Sequence, residues 1–309
     1  MASEPILTAL DVPEVQVGHF MWSSALSDYW TLTKPEINFL IAITTATAFY
    51  LACDASIVYF PWTLLVDTVL GTVLVASGAS TLNQLMERNF DAKMRRTARR
   101  PIAAGRIRPF PALVFGTTLS LAGVFYLALE VRLVASLLAL LTLGGYLLLY
   151  TPLKRRTPMC TLVGACPGAT PVLIGYFAAS GKIDPHAWLL YSVLFLWQFP
   201  HFMAIAWMYR EDYVRAGFLV LPSGGLRDRF VICQSFGVSL LFLPLAMIPA
   251  ATGELHLCYS VGILVVSFLF SYYAASFAFR RSNVTARRLL VASIIYLPAI
   301  FVLMMLNKR

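Results

Sequence analysis

The amino-acid sequence predicts an all-α, polytopic membrane protein: a bundle of about nine transmembrane helices around a central cavity. Three observations carry that prediction. Apolar residues make up 59% of the 309-residue chain and charged residues only 13%, with a mean hydropathy of +0.74, far from the balance of a soluble domain. Apolar runs close to the ~20 residues needed to cross a bilayer as a helix recur with short polar breaks. Basic side chains crowd every second break, so that all of the 24 Lys and Arg except Arg132, Lys182, Lys308 and Arg309 fall on one side.

The chain opens with residues 1–35, expected as a cytosolic tail. Its first 30 positions hold Glu4, Asp11, Glu14 and Asp28 and no Lys or Arg, unlike a transit peptide or the basic start of a secretory signal. An interfacial helix is expected near Tyr29–Trp30. Residues 36–309 then form one transmembrane domain, with spans expected at 36–53, 62–86, 110–129, 133–151, 160–180, 186–208, 230–251, 256–279 and 287–306. Helices satisfy their own backbone groups, as a segment in lipid must, and the alternation of a membrane barrel is missing from these runs.

The breaks between spans are unequal. Those expected outside (CDASIVYFPW, ASGKIDPH, ATGELH) are short and nearly uncharged, whereas 87–108 and 209–229 are longer and set acids beside bases. The positive-inside rule places the N-terminus and both charged loops in the cytoplasm and the C-terminus outside. A nucleic-acid footprint would need a soluble basic surface, so the net charge of +9 reads as topology plus site chemistry. The cysteines at 53, 160, 166, 233 and 258 form no CxxC pair and are expected to be buried small hydrophobes.

The first charged loop begins inside a helix. Asn83, Glu87 and Asp91 stand at i, i+4 and i+8, and Lys93, Arg95, Arg96, Arg99 and Arg100 follow directly. Oxygen ligands suit a hard cation such as Mg²⁺, and guanidinium forks suit phosphate. The three oxygens span about 12 Å of helix with about 80° of drift, beyond the reach of one ion on a straight helix. Either two ions bind, or the helix loosens near Asn89–Phe90. Lys93, Arg96 and Arg100 are the candidate diphosphate ligands of this lip.

A second lip, YREDYVRAG at 209–217, offers Glu211 and Asp212 as further metal oxygens and Arg210 and Arg215 as phosphate partners. Between the lips, on the same membrane side, Tyr150-Thr151-Pro152-Leu153-Lys154-Arg155-Arg156 adds Lys154 and Arg155. The catalytic set expected from this pairing is Asn83, Glu87, Asp91 and Asp212, with Mg²⁺ as cofactor. Deeper in an apolar run lies His201, after Pro200. Helical spacing sets it on one stripe with Gln198, Met208 and Asp212, roughly 16 Å from the acid. Intramembrane ionisable groups face cavities more often than lipid, so His201 is a candidate contact for a large substrate or for its iron. The alternative is a hydrogen bond to a carbonyl that Pro200 leaves unpaired.

The block N-Q-x-x-E-x-x-x-D-x-x-M-x-R-T-x-x-R-P at Asn83–Pro101 resembles the first aspartate-rich motif of UbiA-type intramembrane prenyltransferases. Its details, with YTPLKRRT (Tyr150–Thr157), WQFPHFMAIAW (Trp197–Trp207) and YREDYVRAG, are similar to the haem O synthase (protohaem IX farnesyltransferase) branch of that family. The likeness covers about residues 28–305. It implies Mg²⁺-dependent transfer of a farnesyl group from farnesyl diphosphate to a vinyl group of haem b, in the cytoplasmic membrane of a bacterium. With haem as the large substrate, His201 becomes the haem-binding candidate, and the family alone implies a haem A synthase as neighbour. Quinone-directed members usually carry Asp where Gln84 and Glu87 stand, and their second motif is richer in Asp than Glu211-Asp212. Two alternatives stay open at this point. One is the same chemistry on another acceptor, such as a quinone precursor; the other is a non-catalytic haem or lipid carrier, which would have no use for carboxylates beside an anion site.

Overall fold

The computed structural model describes residues 17–54, 59–251 and 257–308. The expectations placed on residues 1–16, on the outer-loop segments 55–58 and 252–256, on Arg309 and on the Cys258 side chain lie outside the described residues. Among the described residues, nine helices are long and apolar enough to cross a membrane. A helix that precedes the first span, α1 (Val17–Thr33), contains Tyr29–Trp30. The spans are α2 (Pro35–Ala52), α3 (Trp62–Asp91), α4 (Pro109–Val131), α5 (Leu133–Leu153), α6 (Cys160–Ser180) and α7 (Pro185–Met208). A short helix, α8 (Arg210–Ala216), follows. The last spans are α9 (Leu226–Leu245), α10 (Tyr259–Arg280) and α11 (Asn283–Leu306).

Local chemistry sets the ends of these elements. Pro35 and Pro185 sit in the first turns of α2 and α7, where no backbone donor is lost. The Asp184 carboxylate accepts from the amides of His186 and Ala187 at the start of α7, and a capping box between Ser282 and Thr285 opens α11. Gly181 ends α6 with φ of 73°, a conformation that a side chain disfavours. One end differs from expectation in a way that matters. The apolar run stops near 86, yet α3 continues unbroken to Asp91, because Asn83, Glu87 and Asp91 are buried and paired there. The loosening considered near Asn89–Phe90 does not occur.

The centre of the bundle is α6, which packs on α2, α3, α5 and α7. Without a hydrophobic drive between helices in lipid, close approach comes from small residues. A Cβ at Gly175 would lie 2.2 Å from the Thr45 carbonyl oxygen of α2, and one at Gly78 would lie 2.2 Å from Ser120 Oγ of α4. The second half closes by α7 against α11 and α11 against α10. Cys53 and Cys160 are buried as expected, but Cys166 and Cys233 are exposed. The expectation of uniform burial fails because the lipid-facing surface of a bundle is itself apolar and takes a small hydrophobe equally well.

Candidate active site at the charged end of the bundle

Helix α3 carries the first candidate ligands inward. Asn83, Glu87 and Asp91 are only 1%, 5% and 1% exposed, a burial that ionised groups tolerate only when paired. Each carboxylate has a base. Lys154, just past the end of α5, bonds Glu87 Oε1 at 2.9 Å and lies over the Tyr150 ring at 4.5 Å. Arg100 bonds Asp91 Oδ2 at 2.7 Å. Asp91 Oδ1 is buried with no partner.

Asn83 is oriented from α5. A π-helical turn over Gly145–Tyr150 precedes Thr151, whose hydroxyl donates to the Tyr146 carbonyl at 2.9 Å. That hydroxyl therefore accepts from Asn83 Nδ2, at 3.0 Å. With its nitrogen so engaged, the Asn83 amide presents its oxygen as the remaining ligand atom. The wider π turn rotates Tyr146, Tyr150 and Thr151 toward the site, as such turns often do.

The second lip meets the first. Asp212 is buried, accepting from the Arg96 amide at 3.3 Å and from Arg215 at 3.0 Å. Arg96 lies over the Tyr209 ring at 4.7 Å and also reaches the Tyr213 hydroxyl. Phe90 packs against Phe218, Arg155 lies over Phe90, and the Leu219 amide donates to the Lys154 carbonyl at 2.7 Å. All three basic segments thus join at one end of the bundle. A bond from Arg106 to Asp28 fastens α1 to the loop beyond.

The remaining candidates spread out. Glu211 is largely exposed, 3.9 Å from Arg210. Arg210 itself donates to the Trp207 carbonyl and to Asn283 Oδ1, both at 2.8 Å, toward α11. Lys93 and Arg155 are exposed at the rim. The stripe expected to carry Gln198 and His201 on to Asp212 is cut short. Tyr209 breaks the helix at φ −107° and ψ 20°, so α7 does not run through to Asp212. Gln198 donates to the Ala165 carbonyl of α6, whereas His201 Nδ1 lies 2.8 Å from Ser293 Oγ of α11. The partner of His201 is therefore a hydroxyl, not a carbonyl left unpaired by Pro200.

Sequence reasoning missed Lys34. It adopts φ 53° and ψ 66° between α1 and α2, in the left-handed region that costs a side chain about 1 kcal/mol or more. Gln84 of α3 donates to the Leu32 carbonyl and Asn38 of α2 to the Thr33 carbonyl, fixing the bend from two sides. Lys34 lines a cavity of about 330 Å³ with Gln84 and Arg100. Burial first, then the charges of Arg100 and Lys154, pull its ammonium down to about 7. The signal was a lysine directly before the proline that opens a span. Gln84 Oε1, buried beside it, has no partner.

Among the described residues, no three or more His, Cys, Asp or Glu form a ready metal cluster. What the site offers instead is the unpartnered Asp91 Oδ1, the Asn83 oxygen, Glu87 and Asp212, all hard oxygen donors that fit Mg²⁺ chemistry, each acid matched with a cation suited to phosphate.

Comparison with known proteins gives consistent results. The sequence model of the UbiA prenyltransferase family matches residues 41–303. A protoheme IX farnesyltransferase of Solibacter usitatus is 42% identical over 289 residues, covering 92% of this chain and 99% of that protein. Among solved structures, a digeranylgeranylglyceryl phosphate synthase superposes with a TM-score of 0.75 at 16% identity, over 92% of this chain and 98% of that one. A UbiA homologue from Archaeoglobus fulgidus, bound to GPP and Mg²⁺, gives 0.62 at 16% identity, over 90% and 99%. At such identities the structures speak for the fold alone.

Proposed function

The chain belongs to the UbiA prenyltransferase family, and from that premise we propose that it transfers the farnesyl group of farnesyl diphosphate to a vinyl group of haem b, giving haem O and diphosphate. The observation that carries the reading is the one-to-one pairing of acids with bases: Glu87 with Lys154, Asp91 with Arg100, and Asp212 with Arg215. An acid that binds a cation and a base that binds phosphate, held in contact, fit a metal diphosphate that takes both partners at once.

Asn83, Glu87, Asp91 and Asp212 would hold Mg²⁺, which supplies Lewis-acid stabilisation of charge on the departing diphosphate. The protein's bases do the rest of that work. Lys154, Arg100 and Lys34 surround the inner position, and Arg96 and Arg215 approach it from the second lip; Lys93, Arg155 and Arg210 lie on the rim, where they draw an anion in. As the bond from farnesyl C1 to oxygen breaks, C1 joins the terminal vinyl carbon of haem, leaving a cation on the carbon attached to the macrocycle. Water adds there and releases a proton, which yields the hydroxyethylfarnesyl group. The faces of Tyr146 and Tyr150, 5.4 Å apart beside Lys154, provide an aromatic wall that favours a transient cation. Water reaches the allylic carbon too early unless the cavity stays apolar.

The charge bias of the loops orients this end of the bundle to the cytoplasm of a bacterium, with α1 on the same side and the multi-pass chain in the inner membrane. The test is direct. Purified protein incubated with haem b, farnesyl diphosphate and Mg²⁺ should yield haem O by mass spectrometry; prenylation of a quinone precursor with haem b left untouched would replace the acceptor.

A further inference from the structure

Resting on haem b as the acceptor, we infer that His201 ligates the haem iron through Nε2, and that Ser293 is the positioning residue that leaves this nitrogen free. Ser293, fully buried on α11, donates its hydroxyl hydrogen to the Leu290 carbonyl at 2.6 Å. A serine hydroxyl has only one hydrogen to give. Toward His201 Nδ1, 2.8 Å away, it therefore accepts, and Nδ1 must carry the ring proton. The neutral imidazole then holds its lone pair on Nε2, the form that binds iron.

The ring is also locked in place. Trp197 stacks on it at 4.6 Å and 24°, and Trp197 Nε1 donates to the Ser293 carbonyl at 2.8 Å. One residue of α11 thus holds both the imidazole edge and the indole that covers its face. Metal-binding histidines are oriented in this way by a second group on the far nitrogen.

A purely structural tie between α7 and α11 would be served by the Nδ1 contact alone. It leaves Nε2 without a hydrogen-bond partner among the described residues, yet Nε2 is not one of the sealed, orphaned polar atoms of the core. An unpaired nitrogen that remains accessible within a membrane span is costly unless something binds it. Position agrees. His201 lies seven residues, about 10 Å of helix, above the inner end of α7 at Met208. That is too deep to touch diphosphate, and it suits the centre of a flat macrocycle whose vinyl edge reacts at the charged lips.

The test titrates haem b into purified full-length protein without prenyl donor, read by Soret absorption and electron paramagnetic resonance. The wild type should show nitrogen-ligated haem, and His201→Ala should lose that signature. His201→Gly should regain it when imidazole is added. Ser293→Ala should weaken haem affinity roughly 10–100-fold, the usual cost of losing an outer partner, while Ser293→Thr retains it. Binding of farnesyl diphosphate with Mg²⁺, measured in parallel, shows that each variant is folded. If wild type makes haem O while His201→Ala keeps an unchanged haem spectrum and affinity, the ligation is wrong and the acceptor stands. If Ser293→Ala matches wild type, the positioning role is wrong. If wild type neither takes up haem b nor prenylates it, the acceptor itself falls and the ligation with it.

Discussion

Lys154 Nζ bonds Glu87 Oε1 at 2.9 Å across 67 residues of sequence, with side-chain exposures of only 14% and 7%. Removing one partner of a pair this buried leaves an uncompensated charge and costs about 3–5 kcal/mol. Lys154→Met should therefore melt well below wild type in EDTA. Because a divalent cation can take over the abandoned carboxylate, Mg²⁺ should raise its melting temperature more than it raises that of wild type. An equal shift in the two proteins would remove Glu87 from the metal site.

Asp91 holds one oxygen against Arg100 and turns the other, buried and unpartnered, into the site. Asp91→Asn keeps the volume and loses the charge. Turnover should fall by roughly 10²-fold or more, about 3 kcal/mol of transition-state stabilisation, with secondary structure intact by circular dichroism. Full turnover would exclude the carboxylate from catalysis.

Glu211 and Asp212 are adjacent in sequence and opposite in environment, the first largely exposed and the second buried between Arg96 and Arg215. Glu211→Gln should change kcat/KM by no more than about twofold, as for a surface substitution. Asp212→Asn should lower it by the same order as the Asp91 variant. Equal losses at both positions would mean that α8 turns when substrate binds.

Lys34 gives the pH dependence a sign. Its folded pKa, about 7, lies below that of a free lysine, so the ammonium is lost as pH rises through 7 and regained below it. Affinity for farnesyl diphosphate should therefore decline above pH 7, by up to about tenfold per unit. Lys34→Arg, which stays charged, should flatten that decline. A decline just as steep in Lys34→Arg would assign it to another group.

Close packing of α2 on α6 positions everything at the charged end. A methyl group at Gly175 would press on the Thr45 carbonyl oxygen, and overpacking of this kind costs about 1–3 kcal/mol. Gly175→Ala should lower the melting temperature with little change in the ratio of haem to diphosphate affinity.

The spans were legible in the sequence because lipid imposes one rule on every residue of a crossing helix, and runs such as 160–180 and 186–208 declare themselves without reference to the rest of the fold. The cluster of Asn83, Glu87 and Asp91 stood out because five bases, Lys93 to Arg100, follow directly behind it; the acids alone would read as an ordinary solvated helix end. Lys34 was not legible. Its approach to Arg100 depends on a left-handed bend that Gln84 stabilises through the carbonyl of Leu32, 52 positions away, and no local pattern encodes that partner. The same holds for His201, whose ring meets the Ser293 hydroxyl from 92 positions away. The expected stripe from Gln198 to Asp212 failed because Tyr209 interrupts the helix, while periodicity assumes that it continues.

The most direct test of the central claim is single-turnover conversion of haem b and farnesyl diphosphate by purified protein, with Mg²⁺ and then with EDTA. Haem O formed with metal and abolished by EDTA is the predicted result, since Glu87, Asp91 and Asp212 beside an anion make sense only around a cation. Haem O formed equally fast in EDTA would contradict it.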